Sequence, residues 1–274
     1  MIKILISIFV INLYSPYSFA SQIFRSEDAQ GRVTYSDTAT TGAKQVDIPF
    51  QNNGFLHRVA KVYDGDTIVL KNGKRVRLLG INAPEVESRF RTSEPGGYAA
   101  KKWLQEKLQN KSVHLQFDQE RYDRYKRLLA HLFLPGEKHL NEALLEHGLA
   151  VLNIVPPNLR YADKLVRAQQ RAEKQKLGIW SMPRYQPHPI SQISNKNRGW
   201  QRYLGTPKSI KRNRKYSRLV FNKKINIRIA NENLELFPNL KTYLGKSIEI
   251  RGWASRSGEN YSILIRHPSA LIVH

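Results

Sequence analysis

The sequence predicts an α+β fold, a small β-barrel with helices packed against it, followed by a compact all-β module. Three observations carry this expectation. Between residues 55 and 181 the apolar residues first alternate and then fall into helical spacing, the order expected when strands form one layer and helices cover it. Residues 182–217 interrupt the pattern, with Pro183, Pro187, Pro189 and Pro207 set among Arg and Lys. Residues 218–274 alternate again, in "KINIRIA", "SIEIRGWAS" and "YSILIRH".

Taken in order, the first element is a mostly apolar run, Ile4 to Leu13, behind Lys3 and ended by Pro16. Ser18 and Ala20 put small residues where a signal peptidase reads, so residues 1–20 are expected to be an export signal cut after Ala20. The run stops short of the roughly 20 apolar residues that a spanning helix needs. The expectation is a periplasmic or secreted protein with no membrane span after cleavage. Residues 22–50 alternate to Arg25, turn at Gly31 and resume in "RVTYS", a hairpin-like segment too short for a core of its own.

In the 55–181 block, "HRVAKV", "TIVLK" and "RVRLLGI" read as strands. "KNGK" at Lys71–Lys74 reads as a two-residue hairpin turn, because Asn-Gly suits positive backbone angles. Residues 97–109 form a helix with Ala100, Trp103, Leu104 and Leu108 on one face. The strands "SVHLQFD" and "RLLAHLFL" follow, the second ending at Pro135-Gly136. "LNEALLEHG" is a short helix closed by Gly148, and "YADKLVRAQQRAEKQKLG" a long charged helix ended by Gly178. Residues 182–217 read as a basic, proline-containing linker, and 218–274 as the C-terminal β module.

Charge narrows the partners. The chain has 45 Lys and Arg against 22 Asp and Glu, a formal net charge of +23. That excess points to a polyanion, either nucleic acid or an anionic membrane surface. The absence of cysteine excludes disulfides, thiolate metal sites and cysteine nucleophiles. The eight histidines show no metal-ligand spacing such as HExxH and read as surface or core residues.

Within this basic chain "VYDGDTIVL" sets Asp64 and Asp66 around Gly65. By itself the stretch is an ordinary turn, since Asp and Gly favour turns. It is followed by "RLLGINAPE" at Arg77–Glu85, "RYDRYKR" at Arg121–Arg127, "NEAL" from Asn141 and "KLGIW" ending at Trp180. In that order and spacing the motifs resemble the staphylococcal (thermonuclease-like) nuclease family, from about His57 to Trp180. The resemblance implies a five-stranded OB-type barrel with three helices. It also implies Ca²⁺-dependent hydrolysis of phosphodiester bonds in DNA, RNA or both, expected to be endonucleolytic.

The resemblance places the family's metal ligands on Asp66, Asn82 and the backbone carbonyl of Ala83, with Asp64 beside them orienting the site. Asn82 departs from the family carboxylate, keeping an oxygen donor without its charge, so Ca²⁺ affinity is expected to be low. Glu85 falls on the general base that activates water. Arg77 and Arg127 fall on the two arginines that grip the phosphate, a task for which a planar guanidinium is suited. Tyr125 and Lys126 fall at the substrate, while two further aromatic positions of the family's nucleotide site fall on Ile154 and Pro156. The alternative is a non-catalytic nucleic-acid binding module of the cell envelope, which has no need to keep Arg77, Glu85 and Arg127 together.

Two flanking stretches carry weaker resemblances. Residues 22–50, with "YSDT" at Tyr35–Thr38, resemble DUF4124, a small domain of unknown function found in exported proteins. The stretch "GKSIEIRGWASRSGENYSILIRHPSALIV" resembles an OB-like β module that follows the nuclease domain in some exported bacterial homologues. No protein partner is implied.

Overall fold

The computed structural model describes residues 24–27, 33–36, 44–45, 55–87, 92–136, 138–194 and 199–274. The expected export signal lies outside the described residues. The chain divides into two units, Met1–Gln51 and Asn52–His274. In the first unit β1 (Phe24–Glu27) pairs antiparallel with both β2 (Val33–Ser36) and β3 (Lys44–Gln45). The hairpin expected there therefore gains a third short strand.

The second unit opens with β4 (His57–Asp64), β5 (Thr67–Leu70), β6 (Arg75–Leu78) and the short β7 (Gly80–Asn82). Helix α1 (Gly97–Leu108) leads to β8 (Ser112–Gln116) and β9 (Leu128–Leu134). Strands β4, β5, β6, β9 and β8 close into the expected five-stranded barrel, joined through β8–β9. Its interior is filled by Ile68, Val76, Leu78, Val113, Ala130 and Leu132, all inaccessible to solvent or nearly so. Helix α1 lays Ala100, Leu104 and Leu108 on this core, with Trp103 only partly buried beside it.

One local expectation is corrected. Leu70 donates its N–H to the Lys74 carbonyl and accepts from Gly73, both at 2.9 Å, so Lys71–Gly73 is a three-residue loop. Gly73 takes φ +78° and Asn72 stays outside the left-handed region. The Asn72 side chain accepts the Lys74 N–H at 3.1 Å instead, which satisfies the bend locally.

After β10 (Lys138–His139) come α2 (Leu140–Glu146), β11 (Val151–Asn153) and α3 (Ala162–Lys174). Buried Asn141 accepts the Leu132 N–H at 2.9 Å and donates to the Leu79 carbonyl at 2.9 Å, which ties α2 to the barrel beside β7. Strand β11 pairs with β7, Val151 opposite Asn82.

The remaining strands are β12 (His188–Pro189), β13 (Trp200–Gly205), β14 (Ser209–Arg212), β15 (Tyr216–Val220), β16 (Ile225–Ala230), β17 (Ile248–Ser257), β18 (Asn260–Ile265) and β19 (Leu271–Val273). They form one eight-stranded sheet in the order β12-β13-β17-β18-β16-β15-β14, with β19 on β17. The expected linker, 182–217, is therefore largely structured. Its β13 pairs with β17 over six positions, from Trp200 opposite Trp253 to Gly205 opposite Ile248. Trp200 and Tyr203 are buried, whereas β14 at the sheet edge faces its Lys and Arg to solvent and so reads in sequence as a basic arm.

The sheet is joined to the barrel side of the same unit by packing and charge. Trp180, Tyr185 and Trp200 cluster with Val151, Ala172 and Ile179. Buried Arg251 of β17 forks onto Glu173 of α3 and donates to Glu249 at 2.6 Å, and Arg202 binds Glu249 at 2.7 and 2.9 Å.

Candidate active site

The acidic turn is built by close packing. A Cβ on Gly65 would lie 2.6 Å from both the Ala83 and Ala100 methyls, so glycine lets the β7 segment and α1 press against the turn. Asp64 accepts the Asp66 N–H at 3.0 Å, an Asx turn that aims the Asp66 side chain inward. Asp66 is buried; its Oδ2 accepts the Ala83 N–H at 2.7 Å and pairs with Arg77 Nη2 at 3.1 Å. Its Oδ1 accepts the Thr67 hydroxyl at 3.0 Å.

Arg77 reaches this carboxylate because it stands opposite Thr67 in the β5–β6 ladder. Its Nη1 donates to the carbonyls of Leu78 (2.7 Å) and Ile81 (2.9 Å), and its Nη2 also reaches Asn82 Oδ1 at 3.1 Å. The Asn82 amide donates to the Ala83 carbonyl at 3.1 Å. Asp64, Asp66, Arg77, Asn82 and Ala83 therefore form one bonded cluster. Burial, with the neighbouring Asp66 charge, pushes the Asp64 carboxyl up to about 7, against the pull of Arg77.

Glu85 follows on the segment leading out of β7 and is half-buried. Its N–H donates to Glu94 at 3.1 Å and its carbonyl accepts the Glu94 N–H at 2.8 Å. A Cβ on Gly97 would sit 2.4 Å from the Glu85 carbonyl, so the start of α1 fixes this backbone by direct contact.

A second arm holds Tyr125, Lys126 and Arg127. Asp123 accepts the N–H groups of Tyr125 and Arg127, each at 2.9 Å, and the Arg127 Nε at 2.7 Å. Burial pushes the Asp123 carboxyl up, but the hydrogen bonds and charge of Arg127 outweigh it and hold the group below its usual range. Lys126 takes φ +61° to complete the tight turn. The exposed Tyr125 ring lies under the guanidinium of Arg124 at 4.7 Å and of Arg127 at 5.6 Å. The two arms meet through the barrel. Arg127 immediately precedes β9, where Leu128 and Leu129 stand opposite Val76 and Arg77.

Every residue singled out for the site thus lies on β4–β7, the segment after β7, or the turn before β9. Sequence reasoning missed Asp123 and Glu94, which orient Arg127 and Glu85. The Asp–Arg spacing of four in "RYDRYKR" was the available signal for Asp123. Glu94, nine residues past Glu85 and outside the motif, left none.

Among the described residues no group of three or more His, Cys, Asp or Glu is arranged to hold a metal. The acidic cluster instead offers the carboxylates of Asp64 and Asp66, the Ala83 carbonyl and the Asn82 amide oxygen. This all-oxygen set, with no nitrogen or sulfur ligand, fits a hard divalent cation in donor type. The Asn82 oxygen faces Arg77 and would have to turn to join it.

A closed five-stranded barrel carrying a buried carboxylate–arginine cluster and a second arginine in the turn before the adjoining strand defines the class of protein. A family model described as staphylococcal nuclease homologue matches residues 75–182, and a domain of unknown function, DUF4124, matches 13–52. The chain is 35% identical over 142 residues to a thermonuclease of Staphylococcus hyicus, covering 48% of this chain and 83% of the relative. It is 38% identical over 130 residues to a thermonuclease of Staphylococcus intermedius, covering 46% of this chain and 77% of the relative. The endonuclease YncB of Bacillus subtilis is also 38% identical over 130 residues, covering 46% and 61%. The chain belongs to the staphylococcal nuclease homologue family.

Proposed function

We propose that this protein is an exported, Ca²⁺-dependent nuclease that hydrolyses internal phosphodiester bonds of DNA, RNA or both. The observation that carries this reading is the Asp66–Arg77–Asn82–Ala83 cluster, which sets oxygen donors and a guanidinium side by side in a chain of this family. Asp66, the Ala83 carbonyl and, after rotation, Asn82 are the groups that would hold the cation, with Asp64 orienting Asp66. Bound there, Ca²⁺ supplies positive charge against a substrate phosphate.

Each remaining residue has a task set by phosphodiester chemistry, which needs neutralised phosphate charge and a positioned water. Arg77 exchanges part of its internal bonding for phosphate oxygens, and Arg127, oriented by Asp123, binds the same group from the second arm. Glu85 accepts a proton from the attacking water. Tyr125 and Lys126 contact the neighbouring nucleotide. The net charge of +23 draws the polymer in.

Export is supported by the sequence pattern of residues 1–20. No helix among the described residues is long and apolar enough to cross a membrane. The test of the function is direct. Purified protein is incubated with plasmid and with RNA, in Ca²⁺ or in chelator. Cleavage only with Ca²⁺ is expected; binding without cleavage in either condition would assign the chain to the non-catalytic alternative.

A further inference from the structure

The outer face of the C-terminal sheet carries a row of cations. Lys211 of β14 stands opposite Arg218 of β15, and Arg218 stands opposite Arg228 of β16. Their neighbours on the inner face, Leu219, Ile227 and Ile229, are fully buried, so the cations point outward. Tyr216 shares the outer face, two residues before Arg218. Its ring lies 5.4 Å from the Arg228 guanidinium and 5.6 Å from that of Arg218. Arg266 continues the row, directly after β18, which pairs with β16.

This face is costly as it stands. Like charges directly opposite on neighbouring strands destabilise a sheet. Among the described residues, no carboxylate forms an ion pair with Lys211, Arg218, Arg228 or Arg266. The Nε of Arg228 is buried without a hydrogen-bond partner. An external polyanion would supply the missing counter-charges.

The row also runs toward the candidate active site. Burial, with the positive charges of Arg228 and Arg124, holds Arg266 below the usual arginine range, so the row lies within electrostatic reach of Arg124. Arg124 is the residue whose guanidinium covers Tyr125 and donates to its hydroxyl at 2.6 Å. A cleft lined by Asn153, Ile154, Trp253, Arg266 and His267 opens beside the end of the row and borders β11, the partner of β7. Three strand spacings of about 4.8 Å give the row a length of about 14 Å. Tyr216, with a partly exposed ring amid the cations, offers a face on which a base can stack.

We infer that this sheet face is a second contact surface for single-stranded nucleic acid. It carries the strand from the Arg124–Tyr125 side of the candidate active site across Arg266, Arg228 and Arg218. The identity of the polymer rests on the nuclease reading; the existence of the surface does not.

The test compares the full-length protein with its R218Q/R228Q/R266Q variant. Binding to a single strand of about 30 nucleotides, several times an OB-type site, is measured in excess chelator over a range of salt. The variant is expected to bind about tenfold or more weakly, with a log–log salt slope shallower by about 2, at ~0.7 per lost contact. Hydrolysis of a dinucleotide in Ca²⁺, too short to reach the sheet, should be unchanged. R218K/R228K/R266K, which keeps the charge, should keep the slope near that of the parent.

An unchanged slope and affinity in the glutamine variant, or an equal loss on dinucleotide and long strand, would overturn the inference. So would loss of binding to phosphatidylglycerol vesicles with strand binding intact, which would assign the face to a membrane surface. A parent protein that binds the strand through these residues yet cleaves nothing in Ca²⁺ would support the surface and refute the nuclease reading.

Discussion

Asn82 falls where the resemblance expects a carboxylate, and its surroundings say what that difference would do. In place of a carboxylate, an amide oxygen faces Arg77 at 3.1 Å while its amide nitrogen holds the Ala83 carbonyl. On that reading the ligand set carries one negative charge fewer, and its oxygens, on Asp66, Asn82 and Ala83, all accept hydrogen bonds within the protein. Ca²⁺ binding on the order of 10⁻⁴ to 10⁻³ M is expected, the range of extracellular modules. Asn82→Asp restores the charge and should lower the Ca²⁺ concentration for half-maximal hydrolysis, measured by titration at fixed salt. An unchanged or higher value would place residue 82 outside the metal's ligands. The residue types at the site were legible because each motif kept its order and spacing. Their mutual bonding was not, since Arg77 meets Asp66 and Asn82 only once β5, β6 and β7 are folded together.

At the scale of elements, two features lie away from the site and set the stability that the site depends on. On β9 and β10, buried His131 and His139 sit 3.1 Å apart, nitrogen to nitrogen, under the Tyr161 ring. Burial lowers them to about 3 and about 2 respectively, so the fold keeps both neutral. Between pH 5 and 6.5 the unfolded chain binds up to two protons here that the fold refuses. Asp64, raised to about 7, works the other way, because the fold holds one proton that the unfolded chain has lost. The balance approaches one extra proton on the unfolded state near pH 5 and fades toward pH 6.5. Stability should therefore fall with acid, most steeply near pH 5, where the slope reaches about 1.4 kcal/mol per pH unit. Urea unfolding at pH 5 to 7.5 measures it, and a flat or rising stability on acidification would contradict the burial of the pair.

The second feature is the buried Arg251–Glu173–Glu249–Arg202 network between α3 and the C-terminal sheet. Arg251→Met leaves Glu173 without its cation and Glu249 with Arg202 alone, and should cost about 3 to 5 kcal/mol of stability in urea unfolding. Adding Glu173→Leu should recover much of that, because a well-packed apolar pair can replace a buried ion pair. A cost under about 1 kcal/mol for the single change, the value of an exposed pair, would show the network to be solvated. These partners are 78 residues apart in sequence, and nothing in the pattern pairs them. The same holds for β13. The prolines and charged residues around it read as a linker, yet Tyr203 is buried in the sheet core and Trp200 against the barrel side. By contrast the barrel strands and all three helices were legible, because alternation and helical spacing report local burial directly.

Across the whole molecule, the nuclease motifs, the surplus charge and the sheet packed beside the barrel converge on one account: a basic scaffold that brings a polynucleotide to the Arg77–Glu85–Arg127 site. The measurement that tests this most directly is the hydrolysis rate of Glu85→Gln against the parent, at saturating single-stranded substrate and Ca²⁺, with affinity measured in parallel. Glutamine keeps the shape of the side chain and removes its ability to take a proton. The account predicts a fall of roughly 10²-fold or more, the usual weight of a general base, with the dissociation constant for the strand essentially unchanged. A rate within a few-fold of the parent would contradict it.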